Sequence, residues 1–185
     1  MGDECSMAEK ALNPAPLGLA GFGFTTVLLN LVNAGILDSS ALPVILAMGI
    51  FYGGLAQVFA GLLEARLGNT FGAVAFTSYG LFWLATVGLI MGFFGELTPA
   101  AMAAYLAGWG VFTAYMTIAA MKHANIIKLV FITLTILFFL LAAGEFNTAI
   151  HIIGGYEGII CGASAIYASA AIVVNDSYGR RVLPM

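Results

Sequence analysis

The sequence predicts an all-α integral membrane protein of six transmembrane helices, with both termini in the cytoplasm. Three observations lead to this fold class: the composition, the spacing of the charged residues, and the side on which the cations fall. Hydrophobic residues make up 62% of the 185 residues and charged residues only 8%, whereas a soluble domain carries about 25% charged residues. The mean hydropathy is +1.03, so too little polar surface remains to keep a folded chain of this size in water.

The charged residues are separated by apolar stretches of the length that a membrane requires. Four consecutive stretches between Lys10 and Lys122 hold 25 to 29 uncharged residues each, and a helix needs about 20 residues to cross the hydrocarbon core. A shorter fifth stretch follows Lys128, whose long side chain reaches the interface, and a sixth precedes Asp176. These stretches predict spans at residues 17–37, 42–64, 70–93, 100–121, 125–144 and 152–174.

The cations give the orientation. All six fall on one side of the predicted spans: Lys10, Arg66, Lys122, Lys128, Arg180 and Arg181. The connections on the other side carry four acidic residues and no cation: Asp38, Glu96, Glu145 and Glu157. Positive residues mark the cytoplasmic side, so residues 1–12 and 175–185 are predicted to be cytoplasmic tails, and residues 13–174 the six-helix transmembrane domain. Because the connections are short, consecutive helices are expected to pack as antiparallel neighbours.

Small residues recur at helical spacing in three of the spans. In lipid, where hydrophobicity does not drive helices together, small residues three or four apart let two helices approach closely. These stripes therefore predict helix contacts along the second, fourth and sixth spans. They consist of Gly49, Gly53, Ala56 and Ala60, then Ala104 and Gly108, and finally Gly158, Gly162, Ala165 and Ser169.

Several polar side chains lie within the predicted spans, where an unpaired polar group is costly. Phe22, Thr26, Asn30 and Asn33 are spaced four, four and three residues apart, so they share one face of the first helix. Threonines can bond to their own helix backbone, but the amides of Asn30, Asn33 and Gln57 either join neighbouring helices or line a wet path. No Lys or Arg lies in mid-membrane, so a path for anions is expected to bind them weakly.

Composition excludes several other classes of function. Six cations are too few for a nucleic-acid patch, and two cysteines indicate neither a disulfide framework nor a metal site. An intramembrane serine protease at Ser164 needs a nearby histidine, and only His151 on the same span is near. The two histidines fall on opposite sides of the membrane, which excludes a bis-histidine haem. We therefore expect no enzyme activity, no metal and no cofactor.

Two residues near the inner ends of the spans have alternative interpretations. Glu64, at the cytoplasmic end of the second span, is either a solvated anchor or a proton acceptor. Asn13 fits a helix N-cap with Pro14 as the first helical residue. Such a helix start directs free amides and the positive end of the helix dipole to the cytoplasmic mouth. Asn13 is therefore either part of an anion-binding site or a plain helix cap.

Longer motifs resemble a known family. NPAPLGLAGFGFTTVLLN at 13–30, AMGIFYGGLAQVFAGLLE at 47–64, GNTFG and FTSYG within 68–80, and ICGASAIY at 160–167 are similar to signatures of the acetate uptake transporter family. That family includes the bacterial succinate–acetate permeases and the yeast ammonia/acetate exporters. The resemblance extends over nearly the whole chain.

The resemblance implies a prokaryotic inner-membrane protein that assembles as a homo-hexamer and carries small carboxylates, namely acetate and succinate, either as a channel or as a proton-linked transporter. It also implies a pore constriction formed by Phe22, Tyr79 and Leu134, and a role for Ala165 in substrate range. The expected substrate path contains Asn13, Thr26, Asn30, Asn33, Gln57 and Ala165. The alternative is a channel for another small solute such as ammonia, formate or water, since a weakly polar lining suits neutral solutes too.

Overall fold

The computed structural model describes residues 12–185, and all the secondary structure in this range is helical. The predicted tail 1–12, apart from its last residue, lies outside the described residues, as do Cys5 and Lys10. The helices are α1 (Ala15–Asn33), α2 (Leu42–Met48), α3 (Gln57–Arg66), α4 (Thr70–Ile90), α5 (Pro99–Ala120), α6 (Asn125–Gly144) and α7 (Thr148–Tyr178). A 3-10 turn (Ser39–Ala41) precedes α2, and a π-helical segment (Gly49–Ala56) joins α2 to α3.

Six of the helical stretches in the described range are long and apolar enough to cross a membrane. The second is Ser39–Arg66, which is continuous through the π-helical segment. The six predicted spans are therefore confirmed, with shifted ends. The largest difference is at α7, which begins four residues before the predicted span 152–174 and continues to Tyr178, into the predicted tail.

Local sequence explains where the helices begin and end. The side chains of Asn69, Thr98 and Asn147 each accept a hydrogen bond from a backbone N–H in the first turn of α4, α5 and α7, as good N-caps do. Before α2, the hydrogen bonds that Asp38 receives from Ser40 lower the pKa of its exposed carboxyl group. After α7, Gly179 adopts a left-handed conformation with φ of 61°, which glycine takes without strain.

The start of α1 differs from the prediction. The helix begins at Ala15, with Pro14 as its N-cap residue and Pro16 in the first turn. Asn13 lies one position earlier than expected, and its side chain accepts a hydrogen bond from Ala15 N–H at 3.1 Å. Asn13 therefore still satisfies a free amide at the helix start, which is the function that a cap performs.

The helices close into a ring. α7 packs against both α1 and α6, α5 packs against α6, and α3 against α4, while α1 also contacts the π-helical segment and α3. The expectation that all consecutive helices pack closely is wrong for α4 and α5, whose backbones make few contacts. Aromatic side chains bridge these two helices instead, for example Phe82 with Tyr105 and Trp109. The ring therefore has an interior filled by side chains.

The small-residue stripes have different environments. A Cβ placed on Gly53 would lie 3.0 Å from Thr25 and Trp83, and one on Gly162 would lie 2.8 Å from the carbonyl oxygen of Gly23. The predicted close contacts are thus present along the second and sixth spans. Gly108 has nothing within 4 Å of such a Cβ and lies on an exposed face of α5. The prediction is wrong for this stripe within a single chain.

Candidate functional site

Three cavities follow one another through the interior of the ring. The inner cavity has a volume of about 290 Å³ and opens at the end of the bundle that carries Asn13 and His123. The middle cavity, of about 20 Å³, shares Leu19 and Phe131 with the inner one. The outer cavity, of about 30 Å³, shares Phe22 and Leu134 with the middle one. Shared lining residues place the three cavities next to one another, and the middle and outer cavities are far smaller than the inner one.

The middle cavity brings together the three residues of the expected constriction. Phe22 on α1, Tyr79 on α4 and Leu134 on α6 all line it, and each is at most 5% exposed. The rings of Phe22 and Tyr79 have centroids 6.0 Å apart. Three helices, α1, α4 and α6, thus contribute apolar side chains to one ring around the smallest of the three cavities.

Hydrogen bonds fix Tyr79 in this ring. Its hydroxyl lies 2.9 Å from Thr113 Oγ1 on α5, and the single hydroxyl proton of Thr113 is donated to the Trp109 carbonyl oxygen at 2.8 Å. Tyr79 must therefore donate and Thr113 accept. The phenol is held on the α5 side, and its ring makes an edge-to-face contact with that of Phe112.

The polar face predicted on α1 lines the outer cavity. Thr26 and Asn30 are both buried and belong to its wall. Asn30 Nδ2 donates to the Thr26 carbonyl oxygen at 2.9 Å, and Asn30 Oδ1 accepts from Asn33 Nδ2 at 3.1 Å. The Thr26 hydroxyl has no hydrogen-bond partner among the described residues, although it is buried. Asn33 is half-buried and lies outside the cavity lining.

Gln57 lies beside the constriction, in the wall of the same cavity. It is fully buried and lines the middle cavity. Its Nε2 donates to the Gly53 carbonyl oxygen at 2.7 Å, but its Oε1 has no partner among the described residues. Of the two interpretations of this amide, joining helices or lining a path, the contacts favour the second, because its hydrogen bond stays within its own helical segment.

The inner cavity contains polar residues from several elements. Asn13, Glu64, Asn69 and His123 line it. Glu64 is 3% exposed and accepts a hydrogen bond from Asn69 Nδ2 at 2.7 Å. The interpretation of Glu64 as a solvated anchor is therefore wrong, because the turn after α3 folds Asn69 and the start of α4 over its carboxylate.

Ala165 is fully buried on α7, in the same apolar core as Phe22 and Leu134. It does not line any of the three cavities. The structure thus places it behind the wall of the cavities.

The geometry also bears on the protease hypothesis. The Ser164 hydroxyl donates to the Cys161 carbonyl oxygen at 2.7 Å. His151 lies thirteen residues earlier on the same helix, roughly 20 Å away along the axis. Ser164 and His151 are thus too far apart to form a nucleophile–base pair. Among residues 12–185, no group of His, Cys, Asp or Glu side chains is arranged to hold a metal ion.

Four residues of interest were not singled out from the sequence. Trp83 lines the outer cavity, and its buried Nε1 has no partner among the described residues. Thr113 orients Tyr79, and His123 lines the inner cavity, stacked on Phe71 with ring centroids 4.3 Å apart. Of these residues, Trp83 could have been found from the sequence. Tryptophan in membrane proteins is concentrated at the interfaces, so one in the middle of a span is unusual.

The fourth is Glu157, which the sequence analysis counted among the acidic residues of the outer connections, although it falls within the predicted span 152–174. The structure corrects this: Glu157 lies inside α7, nine residues after its first residue. The side chain is half-buried, and both carboxylate oxygens are buried without a hydrogen-bond partner among the described residues.

Comparisons with known proteins agree with this architecture. The sequence profile of the GPR1/FUN34/yaaH family matches residues 4–184. The chain is 53% identical over 182 residues to the succinate-acetate/proton symporter SatP of Escherichia coli strain K12, covering 95% of this chain and 96% of that protein. It is 35% identical over 174 residues to ammonia transport outward protein 2 of Saccharomyces cerevisiae, covering 88% of this chain and 62% of that protein.

A solved structure, that of the bacterial acetate channel SatP, superposes with a TM-score of 0.91 at 52% identity, covering 95% of this chain and 99% of that one. The resemblance inferred from the motifs is thereby confirmed. The chain belongs to the GPR1/FUN34/yaaH family.

Proposed function

We propose that this chain carries acetate, and succinate with it, across the inner membrane of a prokaryotic cell. The observation that carries the proposal is the series of three adjoining cavities, the smallest of which is lined by Phe22, Tyr79 and Leu134. Similarity to a succinate-acetate/proton symporter and to an acetate channel supports the choice of solute.

The chemistry of the cavity walls suits a small carboxylate that must not be held tightly. No Lys or Arg among the described residues lines the three cavities, so the strong bidentate pairing that arginine gives a carboxylate is absent there. Weak binding permits rapid passage. The apolar ring would contact the methyl group of acetate and remove water from the solute as it passes.

Unpartnered polar atoms flank this ring. Thr26 and Trp83, whose Oγ1 and Nε1 atoms have no partner among the described residues, line the outer cavity, and Gln57, whose Oε1 has none either, lines the middle one. A buried polar atom without a partner costs roughly 1–3 kcal/mol, and a passing solute would relieve that cost. The hydroxyl and the indole N–H can donate to carboxyl oxygens, while the amide oxygen can accept only from a protonated acid.

Topology and assembly complete the proposal. Asn13 and Met185 line the same cavity, so residues near both ends of the described chain lie at one end of the bundle. Arg66, Lys122 and Lys128 lie at helix ends, at the predicted cytoplasmic side. We assign that side, and the tails at 1–12 and 175–185, to the cytoplasm by the positive-inside rule. A homo-hexamer with one path in each protomer would cover part of the exposed apolar surface.

Ammonia is the second candidate solute, because of the similarity to a yeast ammonia transport protein. A neutral molecule of that size needs no carboxylate-binding groups, so its flux would not respond to competing acids. Acetate flux should fall when unlabelled succinate is added. This difference separates the two candidates.

The test is uptake of labelled acetate into proteoliposomes that contain the purified protein. Uptake above that of empty liposomes is expected, inhibited by excess succinate. An inward proton gradient distinguishes the mechanisms, because it drives a proton-linked carrier but has no direct effect on a channel. Absence of uptake above empty liposomes would overturn the carboxylate proposal.

A variant tests the constriction. Phe22→Ala should raise the initial uptake rate, because a ring that contributes about 1.4 kcal/mol to the barrier changes the rate about tenfold when it is removed. Phe24→Ala is the matched control, since Phe24 lies on the same helix but is 45% exposed. Phe22→Leu serves as a milder version in case the larger truncation destabilises the core. Equal rates in the Phe22 and Phe24 variants would argue against the constriction.

A further inference from the structure

Glu157 is a buried carboxyl group that the proposed path does not use. It lies about 13 Å below the outer end of α7, taking a rise of 1.5 Å per residue. α7 has 31 residues, about 46 Å, so a helix centred on a hydrocarbon core about 30 Å thick projects about 8 Å at each end, and Glu157 then lies about 5 Å inside the core. Both of its oxygens are buried and unpartnered among the described residues, whereas the other buried glutamate, Glu64, receives a hydrogen bond from Asn69.

Two contacts define what Glu157 faces. Gly154 and Cys161 lie three residues before and four residues after it, so they share its side of α7. A Cβ on Gly154 would lie 3.2 Å from Leu141, and Cys161 Sγ lies 3.7 Å from the Val130 carbonyl oxygen. Both partners belong to α6. Glu157 is therefore directed to the seam between α6 and α7, opposite the middle of α6.

The polar groups of α6 near this level are already bonded. Thr133 donates to the carbonyl oxygens of Leu129 and Val130. Thr135 donates to the Phe131 carbonyl oxygen at 2.8 Å and also bonds with Thr117. Neither threonine is hydrogen-bonded to the carboxylate.

Charged groups do not compensate Glu157 either. Of the helices packed against α7, α1 contains no titratable residue, and α6 contains only Lys128, with Glu145 directly after its last residue. Lys128 bonds to Asn125 and lies about 12 Å further along the axis, judged from the helical rise. On α7 itself the nearest titratable residues are His151, Tyr156 and Cys161.

We propose that Glu157 is a proton-binding site inside the membrane, that its carboxyl group is neutral in the state described here, and that its protonation is linked to transport. An isolated carboxylate in such surroundings is far costlier than the protonated acid. Ionisable residues that remain within the hydrocarbon core despite this cost are commonly functional.

The packing of α7 connects this site to the path. Gly158, the next residue, lies against the Asn30 side chain of α1, where a Cβ would meet Nδ2 at 2.5 Å, and Asn30 lines the outer cavity. On the other side, α6 carries Leu134, four residues after the Val130 carbonyl that Cys161 contacts. Loss of the proton would draw water into the seam and shift both walls. This link rests on the proposed function, whereas the proton site itself does not.

Infrared spectroscopy of the purified protein in lipid tests the proton site directly. The wild type should show the C=O stretch of a neutral carboxylic acid at neutral pH, and Glu157→Gln should lack it. Glu96→Gln is the matched control, since Glu96 is exposed in a loop and its removal should leave the band in place. Identical spectra of wild type and Glu157→Gln would overturn the proposal.

Transport tests the link. In proteoliposomes, an inward proton gradient should stimulate acetate uptake by the wild type and by Glu96→Gln, and stimulation should be absent in Glu157→Gln. Glu157→Asp keeps a carboxyl group and should retain part of the stimulation, which guards against a folding defect. Equal stimulation of wild type and Glu157→Gln would refute the link. Absence of any acetate uptake by the wild type would instead refute the proposed function, and the infrared result would stand.

Discussion

The contact between α1 and α7 gives a prediction whose size follows from the structure. A Cβ on Gly162 would lie 2.8 Å from the carbonyl oxygen of Gly23 and 2.9 Å from the amide nitrogen of Val27. Ordinary contacts begin at about 3.4 Å, so Gly162→Ala places a methyl group about half an ångström too close to backbone atoms. Backbone atoms cannot rotate away as a side chain can, so the two helices must separate.

The expected cost is that of overpacking a core, typically about 1–3 kcal/mol. Alanine also stabilises the folded helix by up to about 1 kcal/mol relative to glycine, since its helix propensity is higher. Gly108→Ala has the same gain without the clash, because nothing lies within 4 Å of its Cβ. The difference in stability between the two variants is therefore the cost of the overpacking alone. At about 2–4 °C per kcal/mol for a chain of this size, Gly162→Ala should melt about 2–12 °C below Gly108→Ala.

The protein contains its own reporter for this measurement. Cys161 is fully buried on α7, so a maleimide dye that fluoresces on reacting with thiols will report unfolding in detergent. Cys5 lies outside the described residues, and Cys5→Ser in every variant removes its signal. Equal melting temperatures for Gly162→Ala and Gly108→Ala would refute the reasoning that α1 and α7 are locked together by backbone contact.

Two further predictions concern polar groups near the cavities. Thr26→Val should raise the melting temperature in the same dye assay, because it removes a buried hydroxyl that has no partner among the described residues and whose desolvation costs roughly 1–3 kcal/mol. It should also raise the KM for acetate uptake if that hydroxyl contacts the solute. Thr25→Val is the control. It should lower the free energy of unfolding by about 1 kcal/mol, since Thr25 donates to the Gly21 carbonyl oxygen at 2.8 Å. A Thr26→Val variant less stable than Thr25→Val would contradict the assignment of the Thr26 hydroxyl as the unpartnered one. Tyr79→Phe removes the bond to Thr113 and should lower stability by about 0.5–1.5 kcal/mol, while a melting temperature equal to that of the wild type would show that the bond contributes nothing.

The number of spans could be predicted from sequence because the lengths of the apolar stretches and the placement of the cations agree. Removing or adding one span between Arg66 and Lys122 would have placed these two residues on opposite sides of the membrane, against the positive-inside rule. The shared face of Phe22, Thr26 and Asn30 could also be predicted, since helical periodicity needs no knowledge of the partner helix. The structure places all three on the cavity walls.

Features that depend on contact between distant segments were beyond the sequence. The π-helical segment Gly49–Ala56 does not alter the apolar pattern, so nothing in the composition of that span indicates it. The sparse backbone contact between α4 and α5 follows from bulky aromatic side chains between them, and short loops wrongly suggested close packing. Tyr79 and Leu134 came from the family resemblance, since no spacing relates residues on α4 and α6.

The position of Glu157 was misjudged for a reason that applies to any membrane sequence read by its charges. Spans are read as the stretches between charges, so a charge inside a helix is taken as the end of a span. α7 has 31 residues, about 46 Å at 1.5 Å per residue, and it is therefore longer than the hydrocarbon core and contains both Glu157 and Asp176. Asp176 is exposed near the last residue of α7, at the end that is predicted to be cytoplasmic. Glu157 lies well below the outer end of the helix with its oxygens buried, so the assumption that charges end spans conceals the carboxyl group whose burial most requires an explanation.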